Sequence, residues 1–427
     1  MKDFTRLSKD ELNGMLISLN EKYEGFSAQK LKLDMSRGKP GADQLALSMD
    51  MMNLLNSSDN LKTTGGFDTR NYGLVDGIPE ARELFAQVLE VSPSEVIVGG
   101  NSSLSMMYDT ITRGMMFGVA GSIEPWCKLP KVKFLCPSPG YDRHFAICEL
   151  FGMEMITIEM KKDGPDMDAI ERLVADDASI KGIWCTPKYS NPDGITYSDE
   201  VVDRFAAMKT AAPDFRIFWD NAYTVHHLTD KPDRLKNIME ACKKAGNADR
   251  VYIFGSTSKV TFPGSGVAFM AASENNLVGI RKQMGIKTIG PDKINQLRHV
   301  RYLKDMSGIE AQMKRQAAIL KPKFDMVLDL LESELGGKNI ASWNKPNGGY
   351  FISFNTLPGC AKAVVKLAGD AGVVMTPAGA TYPYGKDPQD RNIRIAPTFP
   401  PLAELKTAME LLCTCVQIVT LKKLLDK

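Results

Sequence analysis

The chain has 427 residues, 44% of them hydrophobic and 24% charged, with a net charge of +2. That is enough for one large apolar core and a second smaller one, in proportions ordinary for a soluble globular protein. So small a charge, with no Lys/Arg run, speaks against nucleic acid and against a charged membrane surface, and four histidines and eight scattered cysteines offer no zinc spacing.

The first residues, MKDFTRLSKDELNGMLISLNEKYEG, carry charges throughout and predict an amphipathic helix, not a signal peptide. No apolar stretch is long enough to span a bilayer, so the expected compartment is reducing cytoplasm. Strands are predicted at 95–99, 131–136, 153–160, 180–185, 215–219, 250–254 and 266–272, most of them followed by a Gly/Pro/Asn/Ser cluster and a helical pattern. Seven strands interleaved with helices predict an α/β fold with a mostly parallel, doubly wound sheet. Beyond it a long helix is expected over 309–335, then strand-like pieces at 348–354, 373–379 and 392–398, and a closing helix over 402–427. The expected division is an N-terminal part of a small α+β domain (1–55), a large domain (56–307), and a connecting helix with the C-terminal small domain (308–427).

Ligands of such sheets bind at the carboxyl ends of the strands. That rim should carry GGNSS (99–103), TPKYSNPDG (186–194), DNAY (220–223) and STSK (256–259). Each residue alone is ambiguous: Lys259 could be a solvated lysine, Asp220 a helix cap, Asn191 part of a turn, Tyr223 core, and Arg394 a surface ion-pair partner. Their joint order changes the reading. A lysine can form an imine with pyridoxal phosphate, an Asp carboxylate can keep its ring nitrogen protonated, and Tyr and Asn can hold its phenolate oxygen. Backbone N–H groups after a Gly-Gly turn can hold a phosphate, and a strand-end arginine can clamp a carboxylate. The sequence has no G-x-G-x-x-G after the first strand and no G-x-x-x-x-G-K-[ST].

These motifs resemble the class I pyridoxal-phosphate aminotransferases of fold type I over nearly the whole chain. YSNPDG looks like the family's N-P-x-G turn, WDNAY its D-x-x-Y, STSK its lysine segment and NIRIAP its arginine motif. MSRGKP resembles the substrate-side glycine loop, and PGYDRHF and IGPDKINQLRHVRYLKD are similar to a bacterial aspartate aminotransferase subgroup. The resemblance implies pyridoxal 5'-phosphate as cofactor. It assigns catalysis to Lys259, Asp220 and Tyr223, and cofactor holding to Gly100, Asn101, Ser102, Asn191, Ser256 and Ser258 as well. Tyr72 would reach the phosphate in the neighbouring subunit of a homodimer with shared sites. Arg394, Gly38 and Asn191 would bind substrate, with Arg37 the candidate for a distal carboxylate and Lys293 and Arg298 its competitors.

Two departures stand out. The arginine that relatives place after the lysine's Pro-Gly aligns with Gly266, so the phosphate cation is missing or comes from elsewhere. The residue that stacks on the ring aligns with Ser138, which makes Tyr141 the nearest aromatic candidate. The expected activity is transamination between an amino acid, aspartate first, and an oxo acid such as 2-oxoglutarate, by a ping-pong route through Lys259. The alternatives are a lyase or decarboxylase on the same cofactor, an aminotransferase for neutral or aromatic amino acids, and a non-enzymatic sensor domain.

Overall fold

The computed structural model describes residues 3–426. Its strands, in chain order, are β1 (Leu33–Met35), β2 (Val96–Val98), β3 (Lys133–Ser138), β4 (Glu154–Lys161), β5 (Gly164–Pro165), β6 (Ile180–Cys185) and β7 (Arg216–Asp220). Then come β8 (Val251–Ser256), β9 (Ala268–Ala272), β10 (Ala341–Trp343), β11 (Ile352–Thr356), β12 (Val373–Met375) and β13 (Asn392–Ile395). The large sheet runs β2-β9-β8-β7-β6-β3-β4-β5. Pairing is parallel from β8 through β4, while β9 lies antiparallel between β2 and β8. All seven strands expected in this sheet are present, but the count is eight. The extra one, β5, is a two-residue antiparallel appendage to β4, too short to leave a periodic signal.

Successive strand residues point to opposite faces of a sheet, and here both faces are apolar. Val96 and Val98, Ile217 and Trp219, and Val251 and Ile253 enter one core; Ile97, Phe218, Tyr252 and Phe254 enter another on the opposite face. The first face is covered by helices including Pro79–Leu89, Met167–Asp176 and Asp199–Ala207. The second is covered by Ser103–Phe117, Asp142–Leu150 and Glu274–Lys287. A sheet buried on both faces reads as continuous apolar runs, and that is why these strands were legible.

A third core joins the two ends of the chain. Helix Lys9–Ala28 opens on a capping box between Ser8 and Glu11, and it packs along the closing helix Leu402–Leu425. β1 pairs in parallel with β12, and β10-β11-β13 form an antiparallel sheet. The 30-residue helix Met306–Leu335 contributes Leu320, Phe324, Val327 and Leu331 to this third core, and its first turns contribute Ile309 and Met313 to the large-sheet core. It therefore ties the two together, and Arg394 of β13 reaches Asn191 and Asp142 at the carboxyl rim of the large sheet.

Candidate active site

Asp220 is the last residue of β7 and only 3% exposed. His144, on the neighbouring helix Asp142–Leu150, places Nε2 3.0 Å from its Oδ2 and stacks flat on Trp184 of β6 at 4.5 Å. Oδ1 of Asp220 is buried with no partner. An unpaired buried carboxylate oxygen costs free energy unless a donor reaches it. One oxygen of Asp220 is thus left open to a donor from outside the chain.

Lys259 follows β8 by three residues, its Nζ 5.0 Å from the centre of the Tyr223 ring and 5.7 Å from that of Tyr350. Burial pulls its amine below the usual lysine range, with Asp220 opposing. Burial also pushes the Tyr223 phenol well up, so this hydroxyl remains a donor. Tyr141 lies edge-on to His144 at 5.0 Å, and burial together with the nearby Asp220 charge pushes its phenol up to about 12. Ser138 is turned away, its hydroxyl donating to the Cys136 carbonyl at 2.9 Å. Tyr141 thus brings an aromatic ring near Asp220, which Ser138 does not.

Arg394 comes from β13, 6% exposed. Its Nη1 donates to Asn191 Oδ1 at 3.3 Å and Asp142 Oδ1 at 3.0 Å, and Nη2 donates to Thr376 Oγ1 at 3.3 Å. The guanidinium stacks 4.9 Å from the Phe351 ring. That ring occupies the space where any side chain at position 38 would stand, so Gly38 is the residue that lets the N-terminal loop close on it.

The turn after β2 leads into helix Ser103–Phe117. Ser102 is its N-cap, and the cap side chain makes no hydrogen bond to the helix. A Cβ on Gly100 would meet nothing within 4 Å, and Asn101 Nδ2 donates to Gly264 O at 3.3 Å. Ser256 and Ser258 share a 3.0 Å hydroxyl contact nearby along the lysine segment. Free helix N–H groups facing open space form an anion site. A family model described as aspartate amino-transferase matches residues 7–427.

The chain belongs to the aspartate aminotransferase family.

It is 46% identical over 398 residues to the aspartate aminotransferase of Corynebacterium glutamicum, covering 93% of this chain and 92% of that one. A solved aspartate transaminase from Corynebacterium glutamicum superposes with a TM-score of 0.96 at 43% identity, covering 99% of each chain. The α-aminoadipate aminotransferase of Thermus thermophilus, solved with N-(5'-phosphopyridoxyl)-L-leucine, superposes with a TM-score of 0.75 at 19% identity, covering 93% of this chain and 97% of that one. That last likeness concerns the fold. The protein is an aminotransferase of fold type I, a fold whose aminotransferases depend on pyridoxal phosphate.

Not every candidate residue of this aminotransferase gathers at the site. Tyr72 is 75% exposed and makes no side-chain contact with Lys259. Arg37 is exposed too, its charge acting on Asp34. Lys293 is buried and donates to the Pro291 carbonyl at 3.3 Å, within its own chain. Arg298 is also engaged within its chain: Nη2 donates to Ser265 Oγ at 2.8 Å, and Asn295 one turn earlier bonds the carbonyls of Ser265 and Gly266. A cation therefore does stand at the turn where position 266 has none.

Sequence reasoning missed His144, Trp184, Asp142 and Thr376. His144 follows Tyr141 by three residues, one helical turn, so the run PGYDRHF held a usable signal. Trp184 and Thr376 meet the site only through the tertiary fold. A groove of about 1200 Å³ lined by Asp193, Trp343, Tyr382 and Arg391 lies beyond the Asn191 turn and does not include Lys259.

Proposed function

We propose that this enzyme transfers an amino group between aspartate and 2-oxoglutarate, using pyridoxal 5'-phosphate carried on Lys259, in two half-reactions at one site. The observation that carries the cofactor assignment is the buried, unpartnered Oδ1 of Asp220, whose other oxygen is already taken by His144. Pyridoxal phosphate, when bound, supplies the ring that accepts electrons from the substrate carbon as its proton leaves.

The chain's residues have the following work. Asp220, oriented by His144, holds the proton on the ring nitrogen. Tyr223 and Asn191 would donate to the ring oxygen, and Tyr141 would supply the aromatic surface for the ring. The Gly100–Ser102 turn, Ser256, Ser258 and Arg298 take the phosphate, with Tyr72 of a second copy reaching in. Arg394 clamps the α-carboxylate with two N–H groups. Lys259 Nζ, its basicity reduced by burial, would hold the cofactor and, when free, act as the base that accepts the substrate's Cα proton. A lowered lysine pKa leaves more free amine at neutral pH, which both roles require.

Aspartate as substrate rests on the name of the 46% identical relative; Arg37, exposed beside the Gly38 loop, is the candidate cation for the second carboxylate. The test measures oxo-acid formation from each amino acid with 2-oxoglutarate, and locates the cofactor by borohydride trapping and peptide mapping. Aspartate should give the highest kcat/KM, the trapped cofactor should sit on Lys259, and Lys259→Ala should lose the visible absorbance band while remaining folded. Trapping on another lysine would overturn the assignment, and preference for a neutral or aromatic amino acid would overturn aspartate. Arg37→Ala should lower kcat/KM for aspartate much more than for alanine, because only aspartate is left with an unpaired carboxylate.

A further inference from the structure

Arg394 already holds a carboxylate of its own chain. Asp142 Oδ1 lies 3.0 Å from Nη1, the same nitrogen that donates to Asn191 Oδ1 at 3.3 Å, while Nη2 is given to Thr376 and Nε is buried without a partner. The two partners differ in surroundings: the Arg394 side chain is 6% exposed and the Asp142 side chain 34%. Asp142 is the first residue of helix Asp142–Leu150, where the helix dipole stabilises a carboxylate even without the arginine. It thus has two favourable places, against Arg394 or turned to water. Arg394 has no such freedom, since a buried guanidinium left without a counter-charge is strongly unfavourable.

We propose that Asp142 is an internal carboxylate latch: it occupies Arg394 between turnovers and is displaced to solvent by the α-carboxylate of the incoming substrate. The proposal rests on Arg394 being the α-carboxylate clamp. No covalent change is involved; one carboxylate replaces another on the same guanidinium, and the buried charge stays compensated throughout. A second carboxylate cannot join Asp142 on Nη1 without like-charge repulsion, so Asp142 opposes every carboxylate ligand and leaves amines without one unaffected. It is a positioning residue that sets a threshold for entry.

The test compares loaded parent enzyme with Asp142→Asn, which keeps an oxygen for Nη1 and removes the charge. Succinate, a dicarboxylate that cannot react, is titrated against the cofactor absorbance; ethylamine, which is alanine without its carboxylate, is titrated as the control. With Asn, the succinate Kd and the KM for both aspartate and alanine should fall about tenfold, the scale of one weakened charge contact, with kcat changing less and ethylamine unchanged. An unchanged or raised succinate Kd overturns the latch, because a residue that merely orients Arg394 would be missed when altered. Arg394→Met is measured alongside and should lose succinate affinity. If it does not, the clamp reading fails and the latch with it, whereas failure of Asp142→Asn alone leaves the clamp standing.

Discussion

At the scale of single residues, the site turns on buried polar atoms that the protein itself does not satisfy. Asp220 Oδ1 is one, and Nε of Arg298 is another. The Gly100–Ser102 turn offers dipoles and N–H groups but no charge, and a phosphate dianion binds a guanidinium more strongly than neutral donors. Arg298 donates to Ser265, next to the Gly264 carbonyl that accepts from Asn101, and so is a cation on the segment bonded to that turn. Arg298→Met keeps the aliphatic stem and deletes the charge. Titration of the apoenzyme should then show pyridoxal 5'-phosphate bound roughly tenfold or more weakly, with pyridoxal, which lacks the phosphate, unaffected. Equal weakening of both would reassign Arg298 to supporting the turn at residues 263–266.

At the scale of elements, the turn that delivers Asn191 carries its own cost. Asp193 lies in that turn, 7% exposed, and burial raises its carboxyl to about 6, opposed by Ser353. The sign follows from linkage: a carboxyl whose folded pKa exceeds its unfolded value of 3.8 favours the folded state only while protonated. Its contribution to stability is therefore lost as pH rises from about 4 to about 6, and at neutral pH the buried charge costs on the order of 3 kcal/mol. Asp193→Asn should raise the thermal midpoint at pH 7.5, and the advantage should shrink to nothing by about pH 4. A variant less stable than the parent at pH 7.5 would mean that the carboxylate holds a bond worth more than its desolvation. Such a cost is tolerated where a turn must place a neighbouring side chain, and Asn191 is that neighbour.

At the scale of the molecule, one chain leaves apolar side chains open to solvent around residues 72 and 289. Tyr72 is 75% exposed, Ile286 86% and Ile289 60%, and Gly73 N–H donates to the Ile289 carbonyl at 3.0 Å, so Tyr72 and Ile289 share one surface. Exposed apolar groups gathered in this way mark an interaction surface, and two-fold pairing is the commonest closed assembly. A homodimer in which each Tyr72 serves the other copy's Lys259 makes a specific prediction. Tyr72→Ala and Lys259→Ala chains, each impaired alone, should regain activity when mixed and allowed to exchange, since one hybrid site has both residues intact. Mixing that yields no more than the sum of the two parents would place Tyr72 within its own subunit, and a fully active monomer on sedimentation would remove the shared site altogether.

The primary structure by itself determined the doubly wound sheet, because strands buried on both faces, such as VYIFG of β8 and AFMAA of β9, read as unbroken apolar runs. It also marked Lys259, Asp220 and the Gly100–Ser102 turn, since a residue just past such a strand is carried to the rim whatever the rest of the chain does. Tertiary structure alone decided which distant residues meet there. Arg394 lies 252 positions from Asp142 and Arg298 reaches a turn 33 positions upstream, separations on which neither helical nor strand periodicity carries information. The two-residue β5 was invisible for the opposite reason, being too short to have a period at all. Polar contacts of this kind have no pattern along a chain; they are selected by the geometry of the pocket that buries them.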